Sequence, residues 1–226
     1  MSMIGKAHER VVFGRRVERL GALLAQALPA DVGSILDVGC GDGQISCAVS
    51  DAHPKARVEG IDVLVRPKTA IPVRAYDGQH FPYPDDSYDY VMMVDVLHHT
   101  EDPLQVLAEA ARVACRGVLV KDHTKAGPFA LPTLRLMDWV GNSRHGVDLP
   151  YNYWTRSQWL DALDILALEE LSWTTRLHLY SFPLNLLFER SLHFVALFGG
   201  GRSGPGPNFI HQDERRTDST GSSAKM

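Results

Sequence analysis

The chain of 226 residues is long enough for one α/β domain and too short for two. With 45% hydrophobic and 22% charged residues it can bury a core, which excludes global disorder. A formal net charge of −4 supplies no long-range attraction for phosphate backbones or anionic lipid, so neither nucleic acid nor a membrane is expected as its main partner. Cys40, Cys47 and Cys115 show no Cys-x-x-Cys spacing and give neither a disulfide framework nor a zinc knuckle. The opening Met-Ser-Met-Ile-Gly-Lys lacks the apolar core of a secretory signal. The most apolar late stretch, 182–198, is interrupted by Glu189, Arg190 and His193, which argues against a membrane span. A reducing, cytoplasmic setting is therefore expected, while oligomeric state leaves no mark in the sequence.

In chain order, Phe13, Val17, Leu20, Leu24 and Leu28 recur at steps of three and four, which predicts an amphipathic helix within 1–29 that Pro29 ends. Ser34 to Val38 is a β-rich run delivered straight into Gly39-Cys40-Gly41-Asp42-Gly43. A helical segment from Gln44 to Ala52 and a second strand, Arg57 to Asp62, complete a βαβ unit. Next come an extended piece at Ile71 to Ala75, the turn pair Asp77-Gly78 and a strand from Tyr88 to Val94. Asp102-Pro103 supply an N-cap and a first-turn proline for a helix striped by Leu104, Leu107, Ala108 and Ala111, and Gly117 precedes a strand at Val118 to Lys121. Strands thus alternate with helices, which predicts an α/β fold with a doubly wound, mostly parallel sheet and helices on both faces. Residues 123–165, rich in aromatics, His, Arg and Pro, read as a helical cap insertion. Two β-prone runs, Ala167 to Thr174 and Ser191 to Phe198, suit a closing antiparallel pair. The composition from 199 to 226 is that of a flexible tail, leaving 1–198 as the domain.

A glycine turn between strand and helix brings backbone close to a ligand and aims free N–H groups at it. Here the pattern is G-x-G-x-G, with Gln44 where the last glycine of the dinucleotide fingerprint would stand, and no G-x-x-x-x-G-K-[ST] occurs. A nicotinamide dehydrogenase therefore fits less well than its loop first suggests. Asp37 leads the loop, Asp62 ends the second strand and Asp77 follows the third, all facing one strand-end crevice. An acid there accepts two ribose hydroxyls and repels a 2′-phosphate, which points to a nucleoside ligand.

Ile35-Leu36-Asp37-Val38-Gly39-Cys40-Gly41-Asp42-Gly43 resembles motif I of the class I S-adenosylmethionine-dependent methyltransferases. Val58 to Asp62 resembles the second motif, Tyr76-Asp77-Gly78 through Phe81-Pro82-Tyr83 the third, and Tyr88 to Val94 leading to Leu97-His98-His99 the fourth. Within that family the chain looks most like the small-molecule type related to quinone-biosynthesis methyltransferases. The resemblance implies a seven-stranded sheet whose last strand is antiparallel, and S-adenosylmethionine as cofactor. It also implies that Asp37, Gly39, Cys40 and Gly41 form the loop at the methionine end, Asp62 binds the ribose and Val63 flanks the adenine. Asp77 and Gly78 would meet the adenine ring, and a Val94 or Asp95 carbonyl the ammonium. The fourth motif lacks the Asn/Asp-Pro-Pro-Tyr/Phe run of amino methyltransferases, which disfavours nucleic-acid amines.

Methyl transfer from a sulfonium relies on positioning and desolvation, but a hydroxyl acceptor must also lose a proton. His99 or His123, with Asp122 as orienter, are the candidate bases, and no spacing supports a metal. Trp139, Asn142, Arg144, His145, Tyr151, Asn152, Tyr153 and Trp154 are mixed aromatic and polar, a lining that suits a medium-sized metabolite. The expected activity is methylation of a small molecule, on oxygen first and carbon next. The alternative is a catalytically silent S-adenosylmethionine-binding or interaction module.

Overall fold

The computed structural model describes residues 3–127, 129–135, 150–180, 188 and 191–200. Helices α1 (Met3–Ala27), α2 (Gln44–Ala52), α3 (Pro103–Val113) and α4 (Arg156–Ile165) accompany strands β1 (Ser34–Val38), β2 (Arg57–Asp62), β3 (Val73–Ala75), β4 (Tyr88–Val94), β5 (Ala114–His123), β6 (Glu169–Thr174) and β7 (His193–Gly199). Among the described residues these strands form one seven-stranded sheet in the order β3-β2-β1-β4-β5-β7-β6. The first five strands in that order are mutually parallel, and β7 inserts antiparallel between β5 and β6. From β1 the chain winds outward through β2 and β3, then returns to β4 on the other side. The order therefore reverses between β1 and β4, where the strand ends Val38, Ile61 and Met93 lie in register. In open α/β sheets the ligand crevice lies outside the carboxyl ends of the strands at such a reversal.

Every residue of β7 is buried, as are the middle residues of β1 and β4, because helices cover both faces and leave no polar alternation to satisfy. On one face Val38, Val91, Met93 and Val120 pack with Val106, Leu107 and Ala110 of α3 and Trp159 of α4. On the other, Ile35, Tyr90, Met92 and Leu119 pack with Leu24 and Leu28 from α1 and Val49 of α2. Local signals start the helices where expected. Asp102 accepts from Gln105 N–H at 3.0 Å ahead of Pro103, and Thr155 with Gln158 forms a capping box before α4. No described helix is long and apolar enough to cross a membrane.

Two expectations change. The connections 63–72 and 76–87 contain no helix, so strict strand–helix alternation fails around β3. Pro67, Pro72, Pro82 and Pro84 explain this, since proline removes an N–H donor and holds its predecessor extended. Instead of forming a helix, the second segment is pinned to α3. The Arg112 guanidinium donates to the carbonyls of Tyr83 (2.9 Å) and Phe81 (3.2 Å), and Phe81 N–H donates to Glu109 at 2.9 Å. The second change concerns the cap. Trp159, Ala162 and Leu163 of α4 lie in the main core, so this helix is a layer of the domain and not part of an insertion. Of the proposed tail, Gly199 closes β7 and 201–226 lie outside the described residues.

Trp159 is 1% exposed and sits among the rings of Trp154, Phe194 and Trp173, at centroid distances of 4.9, 5.0 and 6.1 Å. Trp159→Ala should cost about 3–5 kcal/mol in chemical denaturation. Leu171→Ala, at a residue 53% exposed on the edge strand, should stay within about 0.5 kcal/mol.

Candidate functional site

The loop after β1 turns through three glycines in the left-handed region, Gly39 (φ 69°), Gly41 (60°) and Gly43 (74°). A Cβ on Gly39 would lie 2.6 Å from a Val96 methyl, so the loop and the end of β4 approach only because that carbon is missing. The loop is clasped onto β2. Gly39 N–H donates to Ile61 C=O at 2.8 Å, and Gly41 N–H donates to one Asp62 carboxylate oxygen at 2.8 Å while Leu64 N–H donates to the other at 2.8 Å. Beside this clasp opens a cavity of about 540 Å³, lined by Gly39, Asp62, Val63, Asp77, Gly78 and His99 among others. Glu101 and Asp102 bring its carboxylates to four, and among the described residues its lining holds no lysine or arginine.

The other loop residues divide by burial. Asp37 is buried and accepts from Ser46 Oγ through one oxygen, while its second oxygen has no partner among the described residues. Burial pushes its carboxyl up to about 7. Burial also pushes the Cys40 thiol up to about 12, and its Sγ packs against Gly60, so this cysteine is an inert filler. Asp77 turns its carboxylate into its own loop, accepting from Gln79 N–H at 2.8 Å and His80 N–H at 2.7 Å, and these bonds hold it below the usual carboxylate range. One oxygen of Asp77 is thus committed to shaping the turn that presents Gly78.

At the ends of β4 and β5 lies a buried charged cluster. Asp95, at φ 58°, donates its N–H to Lys121 C=O at 2.8 Å. Its carboxylate is gripped by the wholly buried Lys121 ammonium and by Arg16 of α1 at 3.0 Å. Burial opposes ionisation of Asp95, but Lys121, His123 and Arg16 outweigh it and hold the group well below its ordinary value. Asp122 accepts from Leu97 N–H at 3.0 Å, from His123 N–H at 2.6 Å and from His98 Nδ1. The His98 ring packs against His99, with centroids 3.8 Å apart, and stacks on Tyr153 at 5.3 Å. His123 Nδ1 stands 3.5 Å from Asp95 and 3.6 Å from Asp122, both too long for good hydrogen bonds. Burial, then the Lys121 charge, lowers the pKa of His123 and of His193. Donor atoms of His98, Asp122 and His123 lie within 4.8 Å of one another, a spacing compatible with a cation. The Asp122 oxygens are already engaged by three N–H donors, so the arrangement reads as a hydrogen-bonded His–Asp pair.

Of the sequence candidates, His99 reaches the cavity wall, but Asp122 orients His98 and not His99, and His123 is buried behind them. Both histidines belong to the 3₁₀ turn Leu97–His99 and their rings pack together, but His98 is the one bonded to Asp122 and His99 the one on the cavity wall. Tyr153 joins the His98 stack and Tyr151 packs beside it. Trp154 packs against the main core, at 4.9 Å from Trp159, and does not line the cavity. Asn152 donates to Thr100 C=O at 2.7 Å, and Trp139, Asn142, Arg144 and His145 lie outside the described residues. Sequence reasoning missed Arg16, the pairing of Lys121 and the place of His193. The available signal was a lysine closing the apolar run Val118–Val120 and a histidine beside Phe194 in a strand that is otherwise apolar.

Known proteins share features with this chain. Residues 36–120 match the family model described as a methyltransferase domain. Over that stretch the chain is similar to the S-adenosylmethionine-dependent methyltransferases. The 27-O-demethylrifamycin SV methyltransferase of Amycolatopsis mediterranei is 34% identical over 109 residues, 42% of this chain and 40% of that relative. An uncharacterized methyltransferase of Mycobacterium avium is 29% identical over 170 residues, 66% of this chain and 65% of its own length. The chain thus spans less than two thirds of the length of these relatives. The fold is shared with an S-adenosylmethionine dependent methyltransferase from Mesorhizobium loti, at a TM-score of 0.60 and 18% identity over 79% of this chain and 96% of that one. It is also shared with the [4+2]-cyclase SpnF, at 0.59 and 19% over 83% and 81%. This methyltransferase fold therefore does not by itself fix a reaction.

Asp95→Ala leaves the buried Lys121 ammonium without its counter-ion and should cost about 3–5 kcal/mol in denaturant titration. Removing the half-exposed partner through Arg16→Ala should cost about 0–1 kcal/mol. The Asp37 carboxyl is raised in the folded state, so its contribution to stability is present at low pH and is lost as pH rises toward about 7. Asp37→Asn should remove that part of the slope, making the variant relatively more stable at pH 8 than at pH 5; an unchanged slope contradicts the assignment.

Proposed function

We propose that the protein transfers the methyl group of S-adenosylmethionine to a small-molecule acceptor, at oxygen ahead of carbon. The observation that carries this reading is the cavity at the glycine clasp, walled by four carboxylates with no lysine or arginine among the described residues. Such a wall favours a ligand that is cationic and free of phosphate, and disfavours dinucleotides. When bound, the cofactor supplies a methyl group already activated on a sulfonium. Asp62, held by two N–H groups, has lone pairs left for ribose hydroxyls, and the unpartnered Asp37 oxygen suits the cationic methionine end. Val63 and Gly78 face each other beside the cavity, flanking the place of the adenine.

For the acceptor, the chain positions, excludes water and takes up a proton. His99 is the histidine that lines the cavity, so its ring is placed to receive the proton of an acceptor hydroxyl. The relative named as a 27-O-demethylrifamycin SV methyltransferase supports the reading of a small-molecule acceptor.

Calorimetric titration with S-adenosylmethionine, S-adenosylhomocysteine and NADP tests the cofactor. Micromolar binding of the first two, about −8 kcal/mol, is expected, with none for NADP. Asp62→Ala should weaken it by about 1.5–3 kcal/mol through loss of charge-assisted bonds. Labelled methyl transfer into metabolite extracts then tests the reaction. Binding without any transfer would favour a silent binding module, and NADP binding would overturn the reading.

A further inference from the structure

We propose that His98 is a positioning residue for His99, linking the buried Asp122 carboxylate to the cavity wall. This rests on reading His99 as the proton acceptor of the methyl-transfer site. Asp122 is 1% exposed and fixes the turn Leu97–His99 twice, through Leu97 N–H at its start and through the His98 ring beneath it. A carboxylate offers only acceptors, so the hydrogen of the His98–Asp122 contact sits on His98 Nδ1, which settles the tautomer and the ring orientation. The turn is closed by His99 N–H to Val96 C=O at 2.9 Å and Thr100 N–H to Leu97 C=O at 3.1 Å, which fixes the backbone from which the His99 ring projects. The His98 ring then lies against His99 with centroids 3.8 Å apart, while Tyr153 stacks on it nearly parallel, at 19°.

The charge balance gives this arrangement a purpose. As the bond from acceptor oxygen to methyl carbon forms and the carbon–sulfur bond breaks, the electron pair goes to sulfur and the hydroxyl proton to a ring nitrogen of His99. A positive charge lost at sulfur reappears on His99. Asp122, acting through the polarised His98 ring, offsets that charge from behind. The charged and titratable groups around the turn are Asp122, His123 and Lys121 of β5, and Asp95 after β4. Arg16 of α1, Glu101 and Asp102 before α3, His193 of β7, Tyr153 on the His98 ring, and Asp62, Tyr76 and Asp77 on the cavity wall are the others among the described residues. Of these, Asp122 is the carboxylate bonded to the ring that His99 packs on.

The test needs no identified acceptor. Ring ¹⁵N spectra of ¹⁵N-labelled protein saturated with S-adenosylhomocysteine follow the pH at which His99 changes, in the parent, in Asp122→Asn and in His98→Phe. Asp122→Asn removes the charge and keeps the shape; His98→Phe keeps a flat ring and removes the link. Unchanged S-adenosylhomocysteine affinity shows that a variant is folded, and where one variant fails this check the other decides. The expected result is a displacement of the His99 change to lower pH by about half a unit or more in each folded variant. A smaller displacement, or one to higher pH, overturns the proposal. Absence of methyl transfer by the parent would overturn the methyl-transfer reading while leaving this coupling measurable.

Discussion

The architecture of the site depends on one small interaction, the grip of two backbone N–H groups, from Gly41 and Leu64, on the Asp62 carboxylate. It ties the glycine loop after β1 to the end of β2 at the point where strand order reverses. A loop free to move would present neither its N–H groups nor the acid in a fixed place. The left-handed conformations of Gly39, Gly41 and Gly43 make the grip possible, and the close approach of Val96 to Gly39 seals its other side.

Charge is then sorted by depth. The cavity wall carries carboxylates alone, whereas the cations Lys121 and Arg16 are drawn behind it and satisfied by Asp95. A cationic ligand thus meets an anionic wall and no competing ammonium. The same sorting keeps His123 and His193 next to Lys121 while His98 is paired with Asp122, so that neighbouring imidazoles occupy different electrostatic surroundings. Holding Asp95 in a left-handed conformation is part of the arrangement, because its backbone N–H and both carboxylate oxygens are engaged at once.

What was legible in the sequence follows the range of the interactions involved. The loop, the strand-terminal Asp62 and the Asp102-Pro103 helix start are local patterns, and each stands where local chemistry puts it. The antiparallel closing pair was legible because Phe194 to Phe198 of β7 reads as an uninterrupted apolar run. The helix-free connections around β3 were not, although their prolines were in view. The second of them is held by Arg112 and Glu109, some thirty positions away. The partner of Asp122 was misread for the same reason. Adjacent histidines look equivalent in sequence, and only the folded structure separates the one that meets the carboxylate from the one that meets the cavity. Arg16 and Asp95 are farther apart still, and no periodicity links them.

The central claim is that the acid-walled cavity at the Asp62 clasp holds the nucleoside of S-adenosylmethionine. A crystal structure of the protein with S-adenosylhomocysteine tests it most directly. The account requires the ribose hydroxyls on Asp62, the adenine beside Val63 and Gly78, and the amino-acid end over Gly39 beside Asp37. A ligand seated elsewhere, or a ribose turned away from Asp62, would contradict it.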